Sequence, residues 1–155
     1  MDTIHILLHN IRSAHNVGSL FRTADAAGVG HVYLTGYTPR PTDALGRVQK
    51  EIEKTALGGE KSVPWSYTKN PQSILKQLKR QQWEIVGIEQ DARARDYRTF
   101  IVTRSTLFIL GNEVLGISAS LRSQCNSLIE IPMKGTKESL NVSVAGGIVL
   151  FRCIR

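Results

Sequence analysis

Near-continuous apolar runs separated by stretches of helical spacing recur along the whole chain. The runs TIHILL at 3–8, HVYLTG at 31–36, WEIVGIE at 83–89, STLFILG at 105–111 and SLIEIPM at 127–133 are rich in branched residues and bounded by Gly, Pro or polar positions. Strands buried on both faces of a parallel sheet take this form. Between them the period changes: Val17, Leu20, Phe21 and Ala24 fall at i, i+3, i+4 and i+7, predicting a helix over 17–27. Further helices are expected near 71–82, near 117–123 and from about 139 to 155, the last followed to the end of the chain. The alternation predicts an α/β fold, a mostly parallel sheet of about five or six strands with helices on both faces. The segments 36–46 and 56–64 are turn-rich and are expected to be surface loops of the kind that carry substrate contacts.

At 155 residues, with 41% hydrophobic and 21% charged residues, the chain reads as one folded domain over 1–155, without repeats, linkers or low-complexity tracts. The 20 Lys and Arg exceed the 13 Asp and Glu, giving +7, and twelve of the twenty are Arg. That balance favours a polyanionic partner such as nucleic acid over an acidic or neutral one; the plainer alternative is solubility. No basic run of five or more occurs, so folding must gather the charge. Cys125 and Cys153 lack metal-ligand spacing and read as reduced thiols, and His5, His9, His15 and His31 form no ligand cluster, so no metal is expected. His15 is a candidate RNA contact. No apolar stretch approaches the ~20 residues of a membrane span, and the N-terminus is too short for a signal peptide, so no membrane association and a cytoplasmic location are expected.

Three segments hold candidate chemistry. In the first, Asn16 is placed to cap the helix that carries Arg22, and Gly18 lies one turn before that arginine, leaving room for a ligand. The alternative is that Asn16 only caps and Arg22 only pairs with Asp25. In the second, GNEVLG at 111–116 breaks a strand and delivers Asn112 and Glu113 to its carboxyl end, where ligands bind in open α/β sheets. It matches neither the dinucleotide fingerprint nor the phosphate loop, and Glu113 could be a solvated turn residue. In the third, IEIPMKGTKESLNVSVAGGIVLF at 129–151, Ser139 and Asn141 open a helix that its own Val142, Val144, Ile148 and Val149 disfavour. Gly146 and Gly147 there call for another backbone passing close by; a parallel strand over 142–151 is the alternative. Lys134 and Lys137, in the loop before it, would meet phosphate or only solvent.

Together the pattern N-x-G-x-x-x-R at Asn16 to Arg22, G-x-E-x-x-G at Gly111 to Gly116 and IPM…SLNVSVA at Ile131 to Ala145 resembles the SPOUT superfamily of RNA methyltransferases, and within it the SpoU or TrmH-like branch of 2′-O-ribose methyltransferases. The resemblance spans nearly the whole chain. It implies a C-terminal deep trefoil knot, a rare exception to unknotted topology. It implies S-adenosylmethionine bent in that knot, held by backbone around Leu110, Gly111, Gly116, Ile131, Met133 and Leu140. It implies a homodimer in which the first and last helices pack on the partner and bring Arg22 of one protomer near the methyl donor of the other. Arg22 is then the catalytic arginine, with Asn16, Glu113, Ser139 and Asn141 as the polar shell orienting it and the target ribose of tRNA or rRNA. A guanidinium, which proteins do not deprotonate, suits holding phosphate and stabilising an alkoxide better than acting as a base. Because the chain begins almost at its first strand, no separate N-terminal RNA-recognition domain is expected, and RNA would be guided by Arg22, Arg40, Arg47, Lys50, Lys54, Lys61, Lys134 and Lys137. The rival readings are a base methyltransferase on the same scaffold and a non-catalytic RNA-binding protein.

Overall fold

The computed structural model describes residues 2–154. Its strands are β1 (Ile4–His9), β2 (His31–Thr35), β3 (Trp65–Thr68), β4 (Glu84–Ile88), β5 (Arg95–Asp96), β6 (Thr106–Leu110) and β7 (Ser127–Glu130). Its helices are α1 (Ala14–Ala27), α2 (Lys50–Ala56), α3 (Gly59–Ser62), α4 (Gln72–Arg80), α5 (Ala119–Gln124) and α6 (Val142–Cys153). The strands form one sheet in the order β3-β2-β1-β6-β4-β7-β5, and every pairing in it is parallel.

The seven strands exceed the five or six expected. The two that periodicity missed lie at the edges of the sheet. β3 has four residues, half-buried apart from the exposed Ser66, and β5 is the dipeptide Arg95-Asp96, which carries no apolar pattern. The segment 56–64, read as a loop, contains the short helix α3. The end of the last helix at 155 lies outside the described residues; α6 runs to Cys153.

Alternation along the central strands sorts side chains into two cores. Ile6 and Leu8 of β1 and Phe108 and Leu110 of β6 face Val17, Leu20 and Phe21 of α1 and Val149 and Leu150 of α6. Leu7, Leu107 and Ile109 face the opposite side, against Leu75 and Leu78 of α4 and Leu121 of α5. Helices therefore cover both faces, and each of these buried side chains contributes roughly 1.5–3 kcal/mol.

Three local expectations are corrected. The cap of α1 is Ser13, whose Oγ accepts from the Asn16 N–H at 3.2 Å; Asn16 sits inside the first turn. Gly18 makes no room for a ligand: a Cβ there would lie 1.8 Å from Thr55 Oγ1 and 2.6 Å from the Ile52 carbonyl, because α2 packs directly on it. At Gly146 a Cβ would meet the Leu20 side chain at 2.7 Å, whereas Gly147 has ordinary contact with Thr23 at 3.7 Å, so the glycine pair admits a side chain of α1, not a backbone. The segment 142–151 is helical, not a strand. Asn141 Oδ1 caps it by accepting from the N–H groups of Ser143 and Val144, and burial of Val149 and Leu150 outweighs the poor propensity of its valines.

Candidate active site at the carboxyl edge of the sheet

An all-parallel sheet sends every strand exit to one edge, so the loops after β1, β4, β6 and β7 meet there. Glu113, in the loop after β6, is bonded to the segment after β1. Its Oε2 accepts from the Arg12 N–H at 3.0 Å, and its Oε1 accepts from the Ser13 N–H at 3.0 Å and from Asn16 Nδ2 at 3.2 Å. Asn16 Oδ1 in turn accepts from Asn141 Nδ2 at 3.1 Å. The chain Glu113–Asn16–Asn141 thus fixes the start of α1 against the start of α6. Partial burial opposes ionisation of Glu113, but the amides of Arg12 and Ser13 and the Asn16 side chain outweigh it and hold the carboxyl below its usual pKa. A solvated turn residue would show no such set of partners.

The turn 111–116 is locked by its own residues. Asn112 and Gly116 exchange two backbone hydrogen bonds at 3.2 and 2.9 Å, and Asn112 Oδ1 accepts from the N–H groups of Val114 and Leu115. A Cβ on Gly111 would stand 2.6 Å from the Gly116 carbonyl and the Ile117 nitrogen. Gly116 has φ +69°, and a Cβ there would meet the Glu89 carboxylate, whose Oε2 accepts from the Ile117 N–H at 2.6 Å. Sequence reasoning missed Glu89; the available signal was a carboxylate at the end of the apolar run WEIVGIE, which exits at the same edge.

Under this turn lies a cavity of about 240 Å³. Leu110, Gly111, Gly116, Ile131 and Leu140, all expected around a cofactor, line it, as do Glu113 and Ser139; Met133 does not. Val142 and Ala145 add apolar wall, and Glu89, Glu130 and Glu138 add carboxylates. Arg22 is not brought to this cavity within one chain: it is exposed on α1, and among the described residues it pairs neither with Asp25 nor with the Glu113 chain.

None of the expected RNA contacts lines this cavity. Arg40 lies 4.2 Å above the Tyr67 ring, and Arg47 Nε donates to Asp43 Oδ2 at 2.6 Å. Lys50, Lys54, Lys61, Lys134 and Lys137 are exposed. His15 contacts Glu51 of α2, which ties α1 to α2. Among the described residues no cluster of three metal-ligating side chains occurs, and no helix is long and apolar enough to cross a membrane.

The sequence model of the SpoU rRNA Methylase family matches residues 3–151. The chain belongs to that family. Among its SpoU relatives, the 23S rRNA (guanosine-2′-O-)-methyltransferase RlmB of Escherichia coli K12 is 35% identical over 150 residues, 97% of this chain and 59% of that protein. The present chain thus spans about three fifths of the length of the curated relatives it matches. The SpoU methyltransferase AviRb of Streptomyces viridochromogenes superposes with a TM-score of 0.86 at 26% identity, covering 97% of this chain and 58% of that one, and has also been crystallised in complex with AdoMet. The A. aeolicus TrmH/SpoU tRNA modifying enzyme superposes at 0.85 with 28% identity, covering 98% and 74%.

Proposed function

We propose that this SpoU chain transfers the methyl group of S-adenosylmethionine to a ribose 2′-hydroxyl of ribosomal or transfer RNA, in the cytoplasm where such RNA is made. The observation that carries the reading is the cavity under the 111–116 turn, lined by Glu113, which Asn16 links to Asn141, in a family whose relatives include a named 2′-O-methyltransferase and one crystallised with AdoMet.

The residues fit that cofactor. Gly111 and Gly116, whose close packing against Gly116–Ile117 and Glu89 excludes side chains, line the cavity with backbone, Leu110, Ile131 and Leu140 offer an apolar seat for the adenine, and Glu89, Glu130 and Glu138 give a negative surround for a sulfonium and an ammonium. Bound there, S-adenosylmethionine would supply an electrophilic methyl carbon. Glu113 and Asn141 hold the starts of α1 and α6 rigid, and Ser139 with Asn16 orients the ribose. Arg22 holds the phosphate and stabilises negative charge on the 2′-oxygen, while a phosphate oxygen takes the departing proton.

The same reading includes a homodimer and a C-terminal knot. Val144, Ile148 and Phe151 form a second apolar stripe on α6 facing away from its buried side; Val144 is 49% and Phe151 52% exposed. A helix apolar on two faces calls for cover on both. A partner seated on this stripe would bring Arg22 of one protomer to the cavity of the other and complete the site. In the knot, the segment 138–145, five of whose residues line the cavity beside the 111–116 turn, would pass through an earlier loop.

The test is transfer of labelled methyl from S-adenosylmethionine to 23S rRNA and to tRNA. Label in RNA that disappears with Arg22→Ala supports the reading. An unlabelled RNA in both pools contradicts it.

A further inference from the structure

The exit of β2 carries a second cleft that the proposed transfer chemistry does not use. It has a volume of about 530 Å³ and is lined by Tyr37, Arg40, Arg47 and Tyr67, with Asp43 at its side. It is a built surface. Gly36 has φ +66°, and a Cβ on it would lie 1.8 Å from Asn10 Oδ1, the atom that accepts from the Tyr37 N–H at 3.1 Å. The buried Thr38 donates to the Leu8 carbonyl at 2.9 Å and accepts from the Ile11 N–H at 3.0 Å, which clamps the loop to the exit of β1. Tyr67 Oη donates to the Gly36 carbonyl at 2.6 Å.

These bonds fix the backbone beneath Tyr37 yet leave its side chain at the surface: the residue is 58% exposed. Asn112 Nδ2 donates both to Tyr37 Oη at 2.9 Å and to the Asn10 carbonyl at 3.1 Å. Asn112 also closes the turn that roofs the cavity, so one side chain connects the two clefts. On the far side the Arg40 guanidinium stacks on Tyr67 and is oriented by it, and Arg47 is steadied by Asp43. An ordered aromatic ring and two ordered guanidinium groups in one open cleft match a nucleobase with its phosphate, because every base offers a π face and guanidinium matches phosphate in geometry.

The geometry points to this cleft as a nucleotide subsite: it holds an unpaired nucleotide of the RNA beside the one whose ribose enters the cavity, with the base stacked at Tyr37 and Arg40 and the phosphate at Arg47. Tyr37 and Arg40 are then substrate-positioning residues, and Asn112 sets their register to the cavity. This inference rests on the reading that RNA is the substrate.

The experiment is fluorescence polarisation of a labelled single-stranded RNA of about ten nucleotides carrying 2-aminopurine. S-adenosylmethionine affinity, measured by calorimetry, reports on folding and on the cavity. Tyr37→Ala and Arg40→Ala are expected to weaken RNA binding about tenfold or more and to abolish quenching of the 2-aminopurine, with S-adenosylmethionine affinity unchanged. Tyr37→Phe, which keeps the ring, is expected to retain both signals, and Arg80→Ala on α4 serves as the distant control. RNA binding that is unchanged in Tyr37→Ala and Arg40→Ala overturns the subsite while leaving the methyltransferase reading standing. A wild-type chain that binds S-adenosylmethionine but neither binds nor methylates RNA overturns both.

Discussion

Replacing Glu113 by Ala removes the acceptor of three hydrogen bonds at the N-terminus of α1, at 3.0, 3.0 and 3.2 Å. Water can reach the freed amides, so the cost is that of losing a helix cap, about 1 kcal/mol, plus about 0.3–1 kcal/mol for an anion at the positive end of the helix dipole. A total of about 1–2 kcal/mol corresponds to a drop in Tm of about 3–7 °C for a domain of this size. Urea unfolding should show a lower midpoint with an unchanged slope, since the surface exposed on unfolding is the same. Glu113→Gln keeps one acceptor oxygen and should lose about half as much. The double variant Glu113→Ala, Asn16→Ala should cost less than the sum of the single ones, because both report the same bond. The folded pKa of Glu113 is depressed, so its contribution is present above the unfolded value of 4.5 and is lost as pH falls through the folded value. A Glu113→Ala protein as stable as the wild type, or strictly additive variants, would refute the view that this carboxylate ties α1 to the site.

Arg22→Ala should lower methyl transfer at least ~100-fold with S-adenosylmethionine affinity nearly unchanged, because the side chain lies outside the cavity of its own chain; equal loss of both, by kinetics and calorimetry, would mean that it supports the fold instead. Gly111→Leu should abolish cofactor binding measured by calorimetry, since even a Cβ at this position stands 2.6 Å from the Gly116 carbonyl; retained affinity would show that the turn is free to move. Stability should also fall with acidification in a window set by histidines. Burial, helped by the neighbouring His31, pushes His5 from 6.5 down to about 4, and burial also lowers His9 and His31. The unfolded chain therefore binds protons between about pH 6.5 and 4 that the folded chain refuses, and Tm should decline across that window as pH drops; His5→Phe should flatten the slope, and an identical slope would contradict the assignment.

The central sheet and the helices that cover it were legible because buried parallel strands and amphipathic helices leave strong periodic signals, as at Leu107–Leu110 and at Val17, Leu20 and Phe21. The edge strands β3 and β5 were not, since the alternation in WSYT is only four residues long and Arg95-Asp96 carries no apolar residue at all. Local chemistry misled at Gly18, where the missing side chain serves packing of α2, and at Asn16, where Ser13 three residues earlier is the cap. The family resemblance carried by the glycine turn and the IPM and SLN runs anticipated Leu110, Gly111, Gly116, Ile131 and Leu140 in the cavity wall, but Met133 could not be separated from its neighbours by type alone. Glu89 and the Asn112–Tyr37 link depend on contacts between distant strand exits, which no spacing along one chain encodes.

The most direct test of the central reading is nucleoside analysis of RNA labelled by this chain with methyl-labelled S-adenosylmethionine. Complete digestion followed by mass spectrometry separates a methyl on ribose from one on a base. The account predicts a 2′-O-methylnucleoside as the labelled product; a methylated base with an unmodified ribose would contradict it.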